Sequence, residues 1–254
     1  MNKPKCLAII PARFASTRFP GKPLARIAGK PMIQHVYERV CRARRIAEVI
    51  VATDDHRIFE TVVSFGGKVW MTSSEHNSGT DRVAEVALQL DAEIVVNVQG
   101  DEPLIDPACV DTAVEPFLID PDLLIGSLKT ASSDEEELYN PNVVKVVTDR
   151  NDFALYFSRS PIPYFRYGFR PSEKRPCVFF KHIGLYVYRK KFLGLLKTLK
   201  ESALEKTEAL EQLRFLENGY RIKVVRCDYQ SLAVDTPEDL ERVQKYFRKE
   251  VPKN

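Results

Sequence analysis

The chain has no cysteine pair spaced as C-x-x-C and no apolar run near the 18 residues of a membrane span. Its five cysteines, Cys6, Cys41, Cys109, Cys177 and Cys227, are odd in number and widely scattered. That argues against a disulfide framework or a zinc site and for reduced thiols. Strong charge of either sign is also missing: 38 Lys and Arg against 35 Asp and Glu leave a formal +3. So small an excess gives no basic stripe and excludes nucleic acid as the expected partner. No G-x-G-x-x-G occurs, so dinucleotide binding has no support. No internal repeat, low-complexity tract or Gly/Ser linker divides the sequence. Cys6–Ile10, apolar but cut short by Pro11, is not expected to act as a signal peptide. What is present is an ordinary globular balance, 44% hydrophobic and 29% charged over 254 residues. Such a chain can bury roughly three quarters of its unfolded surface.

The first half alternates two kinds of segment. Leu7–Ile10, Val49–Ala52, Lys68–Met71 and Ile94–Val98 are short apolar runs of buried-strand type. Between them, 31–41, Asp55–Phe65 and Thr80–Leu90 carry helical spacing, the first opened by Pro31 and the second closed by Gly66-Gly67. This β-α-β-α order predicts an α/β fold, a mostly parallel sheet covered by helices on both faces. After Asp120 the pattern changes. Asn142–Thr148 and Phe153–Phe157 read as a hairpin around Asp149-Arg150-Asn151-Asp152, and Lys181–Arg189 as a strand. Lys206–Glu217 reads as one helix stopped by Asn218-Gly219. Thr236-Pro237-Glu238-Asp239 has the form of a helix start. The expectation is a single domain over 1–254, with an irregular excursion at about 141–190 serving substrate binding and dimerisation. Its Ser160–Arg175 segment bears Tyr164, Phe165, Tyr167 and Phe169, which would be poorly buried in one subunit and suit an interface.

Ligands in open α/β sheets sit beyond the carboxyl ends of the strands. After the first strand, 11–23 places Arg13, Arg18 and Lys22 on one loop, a set that suits a polyphosphate. The loop is not a Walker A motif: Ser16 stands where that motif needs Gly, and Pro23 where it needs Ser or Thr. After the fourth strand, Asn97-Val98-Gln99-Gly100-Asp101-Glu102-Pro103 sends Asp101 toward the same crevice, or merely begins a turn before Pro103. One carboxylate sharing Mg²⁺ with substrate phosphates is common, and Asp235 is a candidate second ligand unless it only serves the adjacent helix start. Ser78-Gly79-Thr80-Asp81-Arg82 opens a helix, as a simple cap or as a nucleotide contact through Arg82. Arg159 follows an apolar strand, and His182 and Tyr186 share one strand face. Glu208, Glu211 and Gln212 share one side of a helix, normally a wet face.

Together these segments resemble the sugar-acid cytidylyltransferases. The match runs through Ile-Pro-Ala-Arg-x-x-Ser-Thr-Arg-x-Pro-Gly-Lys-Pro-Leu at 10–24, Val-Ala-Thr-Asp at 51–54, Ser-Gly-Thr-Asp-Arg at 78–82 and Asn-Val-Gln-Gly-Asp-Glu-Pro at 97–103. It continues with Asn-Pro-Asn-Val-Val-Lys-Val-Val at 140–147, Tyr-Phe-Ser-Arg at 156–159, His-Ile-Gly-Leu-Tyr at 182–186, Leu-Glu-Gln-Leu-Arg at 210–214 and Val-Asp-Thr-Pro-Glu-Asp-Leu at 234–240. It is collinear from residue 6 to about 247 and is similar above all to the branch acting on 3-deoxy-manno-octulosonate, Kdo.

The resemblance implies a Rossmann-like nucleotidyltransferase fold and a cytoplasmic, Mg²⁺-dependent homodimer. It implies transfer of CMP from CTP to Kdo, with release of pyrophosphate, for lipopolysaccharide biosynthesis. A sialic-acid synthetase or another sugar-acid cytidylyltransferase is the alternative; neither nucleic acid nor membrane insertion is implied. By position, Arg13, Arg18 and Lys22 would hold the triphosphate, with Ala12, Ser78, Arg82 and Asp101 also at the nucleotide. Lys22, Arg13, Asp101 and Asp235 would carry catalysis, and Asp101 and Asp235 would bind Mg²⁺. Gln99, Arg159, His182, Tyr186, Glu211 and Gln212 would line the acid pocket, with Arg159 or a neighbouring cation answering the Kdo carboxylate.

Overall fold

A computed structural model describes residues 4–15, 19–170, 178–229 and 232–250. The chain begins with β1 (Cys6–Ala12), then a small ribbon of β2 (Arg26–Ile27) and β3 (Lys30–Pro31). Next come α1 (Met32–Val40), β4 (Glu48–Thr53), α2 (His56–Ser64), β5 (Val69–Met71), α3 (Gly79–Gln89) and β6 (Ile94–Asn97). The second half holds α4 (Pro107–Ile119), β7 (Ile125–Ser132), α5 (Glu135–Tyr139), β8 (Lys145–Thr148), β9 (Ala154–Ser158) and β10 (Phe179–Arg189). It finishes with α6 (Lys190–Leu193), α7 (Ala203–Glu208), α8 (Gln212–Glu217), β11 (Ile222–Arg226) and α9 (Pro237–Glu250).

The main sheet runs β11-β7-β10-β6-β1-β4-β5. β1 pairs in parallel with β4 and β6, β4 with β5, and β11 with β7. On this path β10 alone runs against its neighbours. The fold is therefore the mixed, mostly parallel α/β sheet expected of a nucleotidyltransferase. Alternate residues of β1 feed two apolar cores: Cys6, Ala8 and Ile10 join one, Leu7 and Ile9 the other. A central strand buried on both faces needs such a continuous apolar run.

The hairpin appears as β8 and β9, antiparallel, with Asp149 accepting the amides of Asn151 and Phe153 in the turn. Its first strand begins at Lys145 rather than Asn142. The helix expected over Lys206–Glu217 is broken. Ala209 takes a left-handed conformation, φ 50°, and separates α7 from α8. That break overturns the reading of Glu208, Glu211 and Gln212 as one wet helical face: Gln212 is buried, and both glutamates are engaged by neighbours. In the irregular excursion Tyr164 and Tyr167 are 86% and 85% exposed, but Phe169 is buried with Leu138 and Phe179, and Phe165 packs against them. Residues 171–177, including Cys177, lie outside the described residues.

Candidate active site

The loop after β1 turns back on itself through Gly21, whose N–H donates to the carbonyl of Phe14 at 2.9 Å. Gly21 has φ 71°, and a Cβ there would meet the Phe14 ring at 2.9 Å, so the turn requires glycine. One residue later, Lys22 opens a short 3₁₀ turn and reaches over the strand ends. Its Nζ lies 2.6 Å from Asp101 Oδ2 and 3.2 Å from Asp235 Oδ1. Asp101 follows β6; Asp235 precedes α9. The N–H of Val234 donates to the carbonyl of Asp101 at 2.9 Å and pins the two segments together.

The start of α9 decides what Asp235 does. Thr236 and Asp239 cap that helix reciprocally: Asp239 Oδ2 accepts the Thr236 hydroxyl and the amides of Asp235 and Thr236, and the Asp239 amide donates to Thr236 Oγ1. Capping thus falls to Thr236 and Asp239, and the Asp235 carboxylate faces Lys22 instead.

A cleft of about 230 Å³ opens here, beyond the ends of β1 and β6. Ala12, Arg13, Lys22, Ser78, Arg82, Gln99, Asp101 and Asp235 line it. Ala12 is buried and Arg13 exposed; Arg18 lies outside the described residues. Ser78 caps α3 by accepting the amide of Asp81 at 3.1 Å. Arg82 is buried and already engaged: Nη2 is 2.7 Å from Asp54 Oδ2, and Nη1 donates to Thr72 Oγ1. A guanidinium locked in this way presents a fixed edge to a ligand. It also gives Asp54, at the end of the Val-Ala-Thr-Asp segment, a reason to be a carboxylate.

A second cavity of about 360 Å³ lies beside the first, lined among others by Thr130, Glu137, Asn142, Lys181, His182 and Gly184. The two cavities share Gln99, Asp101 and Asp235. His182 Nε2 is 2.8 Å from Ser127 Oγ, which is itself 2.8 Å from the carbonyl of Leu185. The single hydroxyl proton goes to that carbonyl, so Nε2 carries the imidazole proton and Nδ1 keeps its lone pair. Burial pushes the His182 pKa down to about 3, which makes the ring neutral at ordinary pH. Tyr186 lies 5.4 Å from His182, ring to ring, and stacks on Tyr188 at 5.9 Å. Burial, with help from the Glu211 carboxylate, holds its phenol well above the usual range.

The remaining residues expected at the acid pocket stand further back. Arg159 borders a shallower depression with Asn142 and Asp235. Its guanidinium donates to three backbone carbonyls: Glu208 at 2.7 Å, Pro141 at 2.9 Å and Ala209 at 3.2 Å. Glu211, half-buried, lies against Thr80 and Ser78, and burial raises its pKa. This places the start of α8 beside the start of α3. Tyr186, Glu211 and Gln212 border neither cavity.

Lys181 and His76 were not singled out from the sequence, and Glu208 was read only as part of a wet helical face. Lys181 Nζ is 2.5 Å from Glu137 Oε1 on the wall of the second cavity. Glu208 accepts the Ser158 hydroxyl at 2.6 Å and the Arg159 amide at 2.9 Å. His76, hydrogen-bonded to Glu85, lines the first cavity. Lys181 directly precedes the His-Ile-Gly-Leu-Tyr segment and could have been read with it; spacing gave no signal for His76.

The cytidylyltransferase family matches residues 7–222 of this chain. A 3-deoxy-manno-octulosonate cytidylyltransferase of Solibacter usitatus (strain Ellin6076) is 57% identical, over 96% of this chain and 95% of its own. The chain belongs to this family. A second 3-deoxy-manno-octulosonate cytidylyltransferase, from Syntrophotalea carbinolica (strain DSM 2380 / NBRC 103641 / GraBd1), is 58% identical over 95% of this chain and 98% of its own. Among solved structures, a CMP:2-keto-3-deoxy-manno-octonic acid synthetase complexed with CTP superimposes with a TM-score of 0.90. It is 44% identical and covers 97% of this chain and 100% of its own. A sequence-wide match of this kind is what the cytidylyltransferase segments, spread from β1 to α9, require.

Proposed function

We propose that the chain transfers CMP from CTP to 3-deoxy-D-manno-octulosonate, releasing pyrophosphate. One observation carries the geometry: the two cavities meet at Gln99, Asp101 and Asp235. A donor in the first and an acceptor in the second come together at that shared edge, beside Lys22. The anomeric hydroxyl of Kdo attacks the α-phosphorus in line; its O–P bond forms as the Pα–O bond to pyrophosphate breaks, and the hydroxyl proton leaves. Lys22 and Arg13 stabilise charge on the phosphates. Neutral His182 accepts a hydroxyl of the acid at Nδ1 and holds it in orientation. Tyr186, Glu211 and Gln212 back the walls, and Arg159 or Lys181 supplies positive charge for the carboxylate of the acid.

The donor set at the shared edge fits magnesium. Two carboxylates from distant segments converge on one cation, the Lys22 ammonium, with oxygens that suit a hard ion. Among the described residues no group of three or more His, Cys, Asp or Glu forms a metal cage. A two-carboxylate site suits Mg²⁺, which keeps several waters and shares phosphate oxygens. When bound by Asp101 and Asp235, Mg²⁺ supplies Lewis-acid stabilisation of the phosphate charge.

The proposal extends to a homodimer, supported by the exposed rings of Tyr164 and Tyr167 in the irregular excursion. It extends as well to a cytoplasmic enzyme serving lipopolysaccharide biosynthesis, a reading supported by the name of its relatives. The test is pyrophosphate release with CTP and each acid in turn. Turnover is expected with CTP and Kdo together and poorly with UTP or ATP. Comparable rates with ATP, or with sialic acid in place of Kdo, overturn the assignment.

A further inference from the structure

Lys145 is fully buried at the start of β8. Its ammonium donates to three neutral carbonyls: Asn140 at 3.0 Å, Val143 at 2.7 Å and Arg159 at 2.5 Å. An ammonium has three protons, so these contacts use all of them. A buried cation is costly, and an apolar chain of the same size would be cheaper if filling space were all the site required. The cost shows in the side chain itself, whose pKa burial pushes below the usual lysine range. What the cation gains is a fixed backbone. From the outer side, Arg159 donates to the carbonyl of Pro141 as well. The loop from Asn140 to Val143 thus has three of its carbonyls held by two cations.

That loop is a wall of the acid side. Asn142 borders both the cavity of His182 and the depression of Arg159 and Asp235. Left without the knot, a loop whose turn rests on the Asn142 and Val143 amides bonding back to Asn140 would sample other conformations. We infer that Lys145 is a positioning residue for the acceptor: it fixes Asn142 against the cavity, and Arg159 at the adjoining depression, without touching the substrate. The inference rests on the proposed assignment of that cavity to the sugar acid.

The experiment uses the full chain and the variants Lys145→Met, which keeps the volume but removes every donor, and Lys145→Gln, a milder change should the first not fold. Steady-state kinetics give KM for Kdo and for CTP separately, and hydrogen exchange follows the amides of 140–144. The expected result is a rise in KM for Kdo of about tenfold, on the scale of a displaced positioning group. KM for CTP stays within about twofold and exchange is faster at 140–144, while the strands β1 and β6 remain protected. Lys145→Arg, which keeps donors and charge, recovers part of the loss. Unchanged KM for Kdo, or equal rises in both KM values with exchange accelerated throughout, overturns the inference. If the unaltered chain shows no turnover with Kdo, the assigned reaction fails instead, and exchange at 140–144 still tells whether Lys145 holds the loop.

Discussion

Asp101 and Asp235 close on a single ammonium, that of Lys22, although one follows the central strand β6 and the other precedes the last helix. Their side chains remain partly exposed, at 26% and 40%, so a metal or a phosphate can reach them from the cleft. The relationship separates the catalytic role proposed for Asp235 from the helix-capping role of Thr236 and Asp239.

Asp101→Asn keeps shape but removes a charge from that edge. The expected outcome is a fall in kcat of about a hundredfold or more, the scale of losing one electrostatic stabiliser. Asp235→Asn should behave alike. The double variant should lose less than the product of the two single effects, because the carboxylates act as one unit. Melting temperatures should move by less than about 3 °C, since partly exposed ion pairs contribute little. Kinetics over a magnesium titration, beside a thermal melt, checks both halves; normal turnover of Asp235→Asn at low magnesium removes Asp235 from the site.

Thr236→Ala should do the opposite. It deletes the cap whose hydroxyl accepts the Asp239 amide, and should cost about 1 kcal/mol of stability with kcat within about threefold of the parent. Denaturant unfolding and steady-state kinetics on the same preparation decide it. A catalytic loss as large as that of Asp235→Asn would mean that the cap and the site cannot be separated.

His182 links stability to pH. Its folded pKa, about 3, lies below the ordinary value of 6.5, so the unfolded chain binds a proton that the folded chain refuses between those values. The stabilisation is therefore present above about pH 6.5 and is lost as pH falls toward 3. One uncompensated proton gives at most about 1.4 kcal/mol per pH unit. Unfolding measured at pH 7 and pH 5 should show a smaller acid penalty in His182→Gln than in the parent. Equal penalties would place the ring in contact with solvent protons.

The exposed tyrosines test association. The parent chain is expected to sediment as a dimer at micromolar concentration, and Tyr164→Ser with Tyr167→Ser to shift it toward monomer without altering its melt below the association range. A parent chain that sediments as a monomer ends the dimer proposal.

The alternating apolar runs from Cys6 to Asn97 declared the parallel half of the sheet, because a strand buried on both faces has little chemical freedom. The second half was harder to read. β7 carries Lys129, buried and bonded to Thr148 and Asp152, and such a lysine interrupts the apolar pattern that marks a strand. α4 was missed too: Pro107 and Pro116 punctuate it, though Asp106 caps its start. The break at Ala209 left no sign in spacing, since a non-glycine residue entered the left-handed region under tertiary constraint.

By itself the sequence determined the α/β class, the chemistry of the segments that follow the strands, and the family to which they belong. Local order fixes these things: periodicity sets which face is buried, and charged loops at strand ends can face only the crevice. Tertiary structure alone decided which groups meet. It brought Asp235 to Lys22 by giving the helix cap to Thr236 and Asp239. It withdrew Arg159 onto three carbonyls, and it set Glu211 against Ser78 and Thr80. Those outcomes depend on hydrogen-bond partners far away in the chain, and a donor buried by folding must take whichever acceptor the packed backbone leaves within reach.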